Sequence, residues 1–193
     1  MFIDHLLGRL LGHDFTGDEE NFSVAERSKI SFTNGLIYRH KVLRINYTSY
    51  DLRRCQDSLN PRIHSNIMVL SHEDDDTHPY WYAKIIGVFH TIVQHPSKPD
   101  PTPMDFLWVR WYGRNISHHF GWKSKHLPRI GFVDSDDELP FGFLDPLHVI
   151  RGCHLIPAFH HGRTDDLLPP SIARLETENN EDWLYYYVNM FVI

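Results

Sequence analysis

The chain has 193 residues, 41% hydrophobic and 13% aromatic, with 19 lysines and arginines against 25 aspartates and glutamates, a net charge of −6. This composition fits one ordinary folded domain, with or without an appendage, and excludes a disordered tail. The negative balance disfavours nucleic acid as the main partner, because coating phosphate requires a basic face.

Phe2, Ile3, Leu6, Leu7, Leu10 and Leu11 recur at helical spacing and predict a short amphipathic helix over residues 2–12, ending near Gly12. A helix of that length is unstable alone and must dock on something. An acidic loop follows at residues 14–21, and Ser23 with Glu26 forms a capping box for one or two turns through Lys29. Strands are predicted at residues 30–32 and 36–47 around Asn34-Gly35, the strongest short hairpin signal in the chain. The polar residues 47–66 read as a loop with room for a helical turn, residues 67–70 as a short strand, and residues 71–79 as an acidic loop.

Two aromatic, β-prone runs come next, residues 80–90 and 105–114, joined by a Pro-rich loop. They predict neighbouring strands of a small, strongly curved sheet, one of at least five strands between Ile30 and Phe159. Residues 115–140 read mostly as loop, and Asp145-Pro146 can start a helical turn. Residues 153–159 form another strand, which Pro157 places at an edge or a strand end. Residues 163–180 resemble a linker, and residues 183–193 a final aromatic strand. Its apolar end, Phe191-Val192-Ile193, is an edge liability that suggests an excised piece or a strand added from a neighbour. The expected organisation is a helical appendage over residues 1–29 and a β-rich domain over residues 30–193 with a C-terminal strand extension.

No apolar run approaches the ~20 residues that span a bilayer, so no membrane partner is expected. Cys55 and Cys153 lie far apart and make no disulfide framework, which points to a reducing, intracellular setting.

Exposed aromatics beside acids hold cationic side chains, and the candidates for such a cage are Trp81, Trp108, Trp111 and Tyr112. The acid could come from residues 73–76 or 134–138. Alternation puts Trp108 opposite Trp111 and Trp81 opposite Tyr80 and Tyr82, so one face of each strand is expected to be core. Fifteen histidines include the pairs His118-His119 and His160-His161, but adjacent side chains on an extended segment diverge, and no metal site is assigned. No nucleophile elbow, phosphate loop or dinucleotide fingerprint is present, and the carboxylates come in solvated runs. Asp105, Asp145 and Asp182 are the carboxylates a divalent-metal nuclease would have to bring together. Arg39, Lys41, Arg44, Arg53 and Arg54 are candidate phosphate contacts, although they form no single stripe.

Several long segments keep a recognisable order. They include Tyr80-Trp81-Tyr82-Ala83-Lys84, Phe106-Leu107-Trp108-Val109-Arg110-Trp111-Tyr112, Phe141-Gly142-Phe143-Leu144-Asp145-Pro146 and Asp182-Trp183-Leu184-Tyr185-Tyr186-Tyr187. With residues 38–54 and 151–159, they resemble the C-terminal region of transposon-encoded proteins abundant in mushroom-forming fungi, which accompany transposases of the Tnp2 and Kyakuja-Dileera-Zisupton kind. A second resemblance, over roughly residues 45–160, is to the bromo-adjacent homology (BAH) domain. It rests on residues 67–70, Tyr82-Ala83-Lys84-Ile85, residues 109–114, the acids at 134–139 and Gly152 to Ile156, with Lys84 standing where arginine is usual. It implies a mainly β fold, a small, partly open BAH-like β-barrel with short peripheral α-helices, of a kind that binds nucleosomes, histone tails or partner proteins. The expectation is therefore a nuclear, non-enzymatic interaction module of a mobile-element protein. It would bind chromatin through a histone tail, or a partner protein, without a cofactor. The alternatives are a DNA-contacting accessory domain and a divalent-metal nuclease.

Overall fold

Two long antiparallel strands, Tyr80–Gln94 and Thr102–Arg114, run through the molecule and are buried on both faces. A computed structural model describes residues 1–13, 21–48, 54–71, 78–121, 124–137 and 139–189. In chain order the helices are α1 (Phe2–Leu11) and α2 (Val24–Arg27). The strands begin with β1 (Ser31–His40), β2 (Leu43–Thr48), β3 (Arg54–Leu59), β4 (Asn66–Leu70), β5 (Tyr80–Gln94), β6 (Thr102–Arg114) and β7 (Arg129–Phe132). They continue with β8 (Phe141–Leu144), β9 (Val149–Gly152), β10 (His154–Pro157), β11 (Arg163–Thr164), β12 (Asp182–Trp183) and β13 (Tyr186–Asn189).

The fold is mainly β, and every described strand pairing is antiparallel. The main sheet runs β10-β13-β7-β6-β5-β4-β9, with β1 also on β5 and β8 also on β6; β2–β3 and β11–β12 are separate ribbons. Among the described residues the sheet does not close into a barrel.

A bulge divides β5. Ile85 lies opposite Val109 and Gly87 opposite Trp108, so Ile86 is an extra residue that inverts the alternation. Ala83, Ile85 and Val88 therefore share one core with Leu107, Val109, Ile67, Val69, Leu144 and Val149. Three smaller clusters cover the other face. Tyr82 and Tyr112 pack with Ile130, Phe132 and Val188; Met104 and Phe106 pack with Leu6, Leu7 and Leu10; Ile86 packs with Leu168 and Ala173. Burial on both faces is why these strands read as near-continuous apolar runs.

The first helix docks through its leucine stripe and ends at Gly12, whose φ of 77° is the left-handed conformation that glycine adopts without strain. Arg9 fastens it, pairing with Asp145 at 2.5 Å. The same helix buries His5, whose Nε2 has no hydrogen-bond partner among the described residues. Burial pushes this imidazole down from its usual 6.5 to about 3, with repulsion from Arg9 and His148 adding to the effect. The unfolded chain therefore takes up a proton that the folded chain refuses between those two values. Stability should be full above the unfolded pKa and fall as pH drops below it, by at most ~1.4 kcal/mol per pH unit from this group. Urea midpoints measured down an acid series should fall less steeply in His5→Phe.

Several expectations are corrected. Asn34-Gly35 makes no hairpin; both residues are left-handed, at φ 57° and 63°, but they form an irregularity inside β1, which continues along β5 on either side. The residues expected to loop at 47–66 include β3, where Cys55, Asp57 and Leu59 turn inward against β2. Its alternation is one of burial more than of hydrophobicity. The 163–180 segment is no linker, since it packs Leu168, Ala173 and Arg174 into the interior. The final aromatic strand is described only as β12 and β13, of which β13 lies between β10 and β7 and pairs with both; the edge liability expected at Phe191-Val192-Ile193 lies outside the described residues. Residues 190–193 lie outside the described residues, as do most of the acidic loops expected at 14–21 and 71–79. No described helix is long and apolar enough to cross a membrane.

Candidate functional site

The outer side of β5 is shared by two shorter strands. β4 pairs with Tyr80 to Lys84, the Ile85 N–H donates to the Ser65 carbonyl just before β4, and β1 pairs with Val88 to Gln94, leaving a gap at residues 86–87 beside the bulge. The gap opens into a cavity of about 620 Å³. Ile85 and Ile86 lie at its base, Arg39 reaches it from the end of β1, and Arg62 from the turn before β4. Residues 172–177, with Arg174 and Glu176, complete it.

Local structure holds each cation. The Asn60 side chain shapes the turn bearing Arg62, its Oδ1 accepting the N–H groups of Arg62 at 3.1 Å and Ile63 at 2.9 Å. Lys84 is buried and donates to Glu178. Arg174 is buried too; its Nη2 lies 2.8 Å from Asp182 and donates to the Leu168 carbonyl at 2.7 Å. Arg110 reaches the same carboxylate at 3.0 Å and stacks its guanidinium 3.8 Å over Phe132. Burial lowers the Arg110 pKa, and Asp182 acts against that shift. Arg174 Nε and Nη1 are buried without a hydrogen-bond partner among the described residues. Arg39 and Arg62 are exposed and form no ion pair among the described residues. Four cations, Arg39, Arg62, Lys84 and Arg174, thus line the notch beside Glu176; among the described residues Lys84 is paired with Glu178 and Arg174 with Asp182. The notch is locally cationic in an acidic protein, which suits a carboxylate or phosphate.

The structure divides the four cage candidates. Trp81 and Trp111 meet edge to face at 6.2 Å, half-buried against the main core. A Cβ on Gly142 would lie 2.6 Å from Trp111 Nε1, so the indole occupies space that only glycine leaves open. Trp108 points the other way, onto Phe141, Ile86, Leu168 and Ala173. Tyr112 is buried, donates its hydroxyl to Asn66 at 3.0 Å and stacks on Phe132 at 4.3 Å. Burial raises its pKa well above the usual 10. Only Trp81 and Trp111 could share a ligand. Both faces of β6 are covered, so alternation leaves neither free. Of the candidate acids, residues 73–76 and Glu138 lie outside the described residues, and Asp134 accepts the N–H of Asp136 in its own turn.

Among the basic candidates, Arg39 faces the notch, Lys41 is exposed beyond it, and Arg44 and Arg54 share the exposed face of the β2–β3 ribbon. Arg53 lies outside the described residues. Asp182 is engaged by two arginines, while Asp145 pairs with Arg9 and caps the turn at Pro146–His148. The Arg9 guanidinium also bonds the backbone carbonyl of Asp105. His118 contacts the Leu127 carbonyl at 3.1 Å and stacks on His126, and His161 meets Arg129 at 3.0 Å. Among the described residues no group of three or more His, Cys, Asp or Glu side chains is placed to hold a metal ion.

Sequence reasoning missed Arg62, Lys84 and Arg174. The available signal was a cation inside an apolar run, as in Ala83-Lys84-Ile85 and Ala173-Arg174-Leu175, since a charge placed there must find a buried partner. No family model matches the chain, and no curated protein or solved structure matches it.

Proposed function

We propose that the chain is a nuclear, non-enzymatic interaction module of a mobile-element protein, and that it holds a partner protein by carboxylates seated in the cationic notch. The observation that carries the reading is the grouping around one cavity of Arg39 and Arg62, which form no ion pair among the described residues, with buried Lys84 and Arg174. Guanidinium groups grip carboxylates in two-pronged fashion, and a partly desolvated site strengthens the grip. The resemblance of several ordered segments to transposon proteins supports the mobile-element setting, and the resemblance to the BAH pattern supports a binding role. A lysine-rich histone tail meets like charge at the notch, so it would have to use the Trp81–Trp111 pair instead.

Fluorescence anisotropy with labelled ligands separates these readings. A glutamate-rich peptide should bind, and Arg39→Glu with Arg62→Glu should weaken it by roughly tenfold or more. Preferential binding of duplex DNA with a steep salt slope would establish the DNA-contacting role instead. Preferential binding of methylated histone peptides, lost in a folded Trp111→Ala protein, would move the site to the aromatic pair.

A further inference from the structure

We infer that the occupant of the notch is an acidic, extended segment of a partner protein that adds as a strand to the open edge of β1. The inference rests on the notch reading and specifies its ligand. Among the described residues β1 pairs only with β5, so its outer row of backbone N–H and C=O groups carries no strand. Past the irregularity at Asn34-Gly35, residues Ile37 to His40 are in regular register with Thr91 to Val88. Leu36, Ile37 and Tyr38 are 45%, 49% and 44% exposed, an apolar run on an edge that proteins ordinarily blunt or cover. The same strand delivers Arg39 to the notch, and exposed Lys41 follows it.

The register fixes what the added strand must present. Arg39 lies opposite Phe89 on β5, so Arg39 and Ile37 face the notch side of the sheet. Tyr38 and His40 face the other side, where Tyr38 stacks on His90 at 4.7 Å. Side chains of a neighbouring strand sit beside those of β1 on each face. The ligand should therefore carry a carboxylate beside Arg39 and, two residues away on the same face, an apolar side chain beside Ile37. Facing Tyr38 it should carry an apolar or aromatic residue. β1 contains no acidic residue, so a second copy pairing through the same edge would offer Arg39 and Lys41 no carboxylate from that strand, whereas an acidic segment meets them with opposite charge. Main-chain bonds would give affinity, and the notch would give selectivity.

A strand offers every second N–H to one neighbour, which makes the mode testable by backbone methylation. A labelled peptide with the core Glu-Val-Glu-Val-Val, its glutamates beside Lys41 and Arg39 and its valines beside His40, Tyr38 and Ile37, is prepared unmodified and in two forms, N-methylated at alternate residues in opposite phase. One phase should lose more than about tenfold in affinity and the other less than about threefold. Arg39→Glu should weaken the unmodified peptide by roughly tenfold, and a lysine-for-glutamate peptide should bind this variant better than the parent protein. Equal loss or equal tolerance in the two methylated phases, with dependence on Arg39 and Arg62 retained, would overturn strand addition and leave the notch reading standing. An unmodified peptide that fails to bind, or binds regardless of Arg39 and Arg62, would overturn both. Self-association that the peptide competes away would identify a second copy as the occupant and also refute the inference.

Discussion

Replacing Asp182 by asparagine is expected to destabilise the protein by ~3–5 kcal/mol, seen as a lower urea midpoint at unchanged slope. Asparagine keeps the shape of the side chain and removes only its charge. Two guanidinium groups, Arg110 and Arg174, would then be left buried around a neutral amide. Among the described residues neither forms another ion pair, and Glu178 is paired with Lys84. Stacking on Phe132 and bonds to the carbonyls of Leu167 and Leu168 offset only part of the loss. The effect lies in the uncompensated charge. Replacing Arg110, Arg174 and Asp182 together by apolar side chains of similar volume should therefore cost much less, or even stabilise the fold. A single Asp182→Asn loss below about 1 kcal/mol would show that water reaches the cluster and screens it. The substitution also loosens one wall of the notch, so acidic-peptide affinity should fall in parallel.

Where local preference and tertiary environment agree, sequence and structure coincide. The leucine stripe of α1 and its closing Gly12 specify a helix whatever it packs on, and Ser23 with Glu26 caps α2 as expected, the Glu26 N–H donating to Ser23 at 3.3 Å. The aromatic density of β5 and β6 specified strands, and Pro157 correctly placed β10 at the end of the sheet. The reading failed where partners are distant. Asn34-Gly35 has the backbone that a tight hairpin needs, yet β5 offers a longer partner on both sides of it, and the strand runs on. Nothing local in Arg54–Leu59 signals a strand; its inward Asp57 is stabilised by the Gly152 N–H at 2.8 Å, ninety-five residues away. The site was illegible for the same reason. Its four cations come from β1, a turn, β5 and the supposed linker, and only the sheet register brings them around one bulge.

Ending the chain after Tyr185 is expected to abolish cooperative folding, a larger loss than that of Asp182→Asn. Removal of β13 takes an interior strand, not an edge: Val188 pairs with Leu155 and Tyr187 with Ile156 on one side, and Tyr186 with Ile130 and Tyr187 with Arg129 on the other. Val188 is 1% exposed, and Tyr186 stands edge-on to both Tyr112 and Phe132. Its loss would uncover Tyr112, Ile130, Phe132 and Leu155 together, and each buried side chain of this kind contributes ~1.5–3 kcal/mol. Their sum is comparable with the ~5–15 kcal/mol that holds a whole domain folded. The truncated protein should show no sharp thermal transition, weak near-ultraviolet circular dichroism and strong binding of a hydrophobic dye. Val188→Ala, which leaves the backbone pairing in place, should remain cooperative and lose only ~2 kcal/mol. The direction of aggregation makes the comparison decisive. Removing an apolar edge strand would improve solubility, whereas removing an interior one bares the pairing edges of β7 and β10 at once and should worsen it.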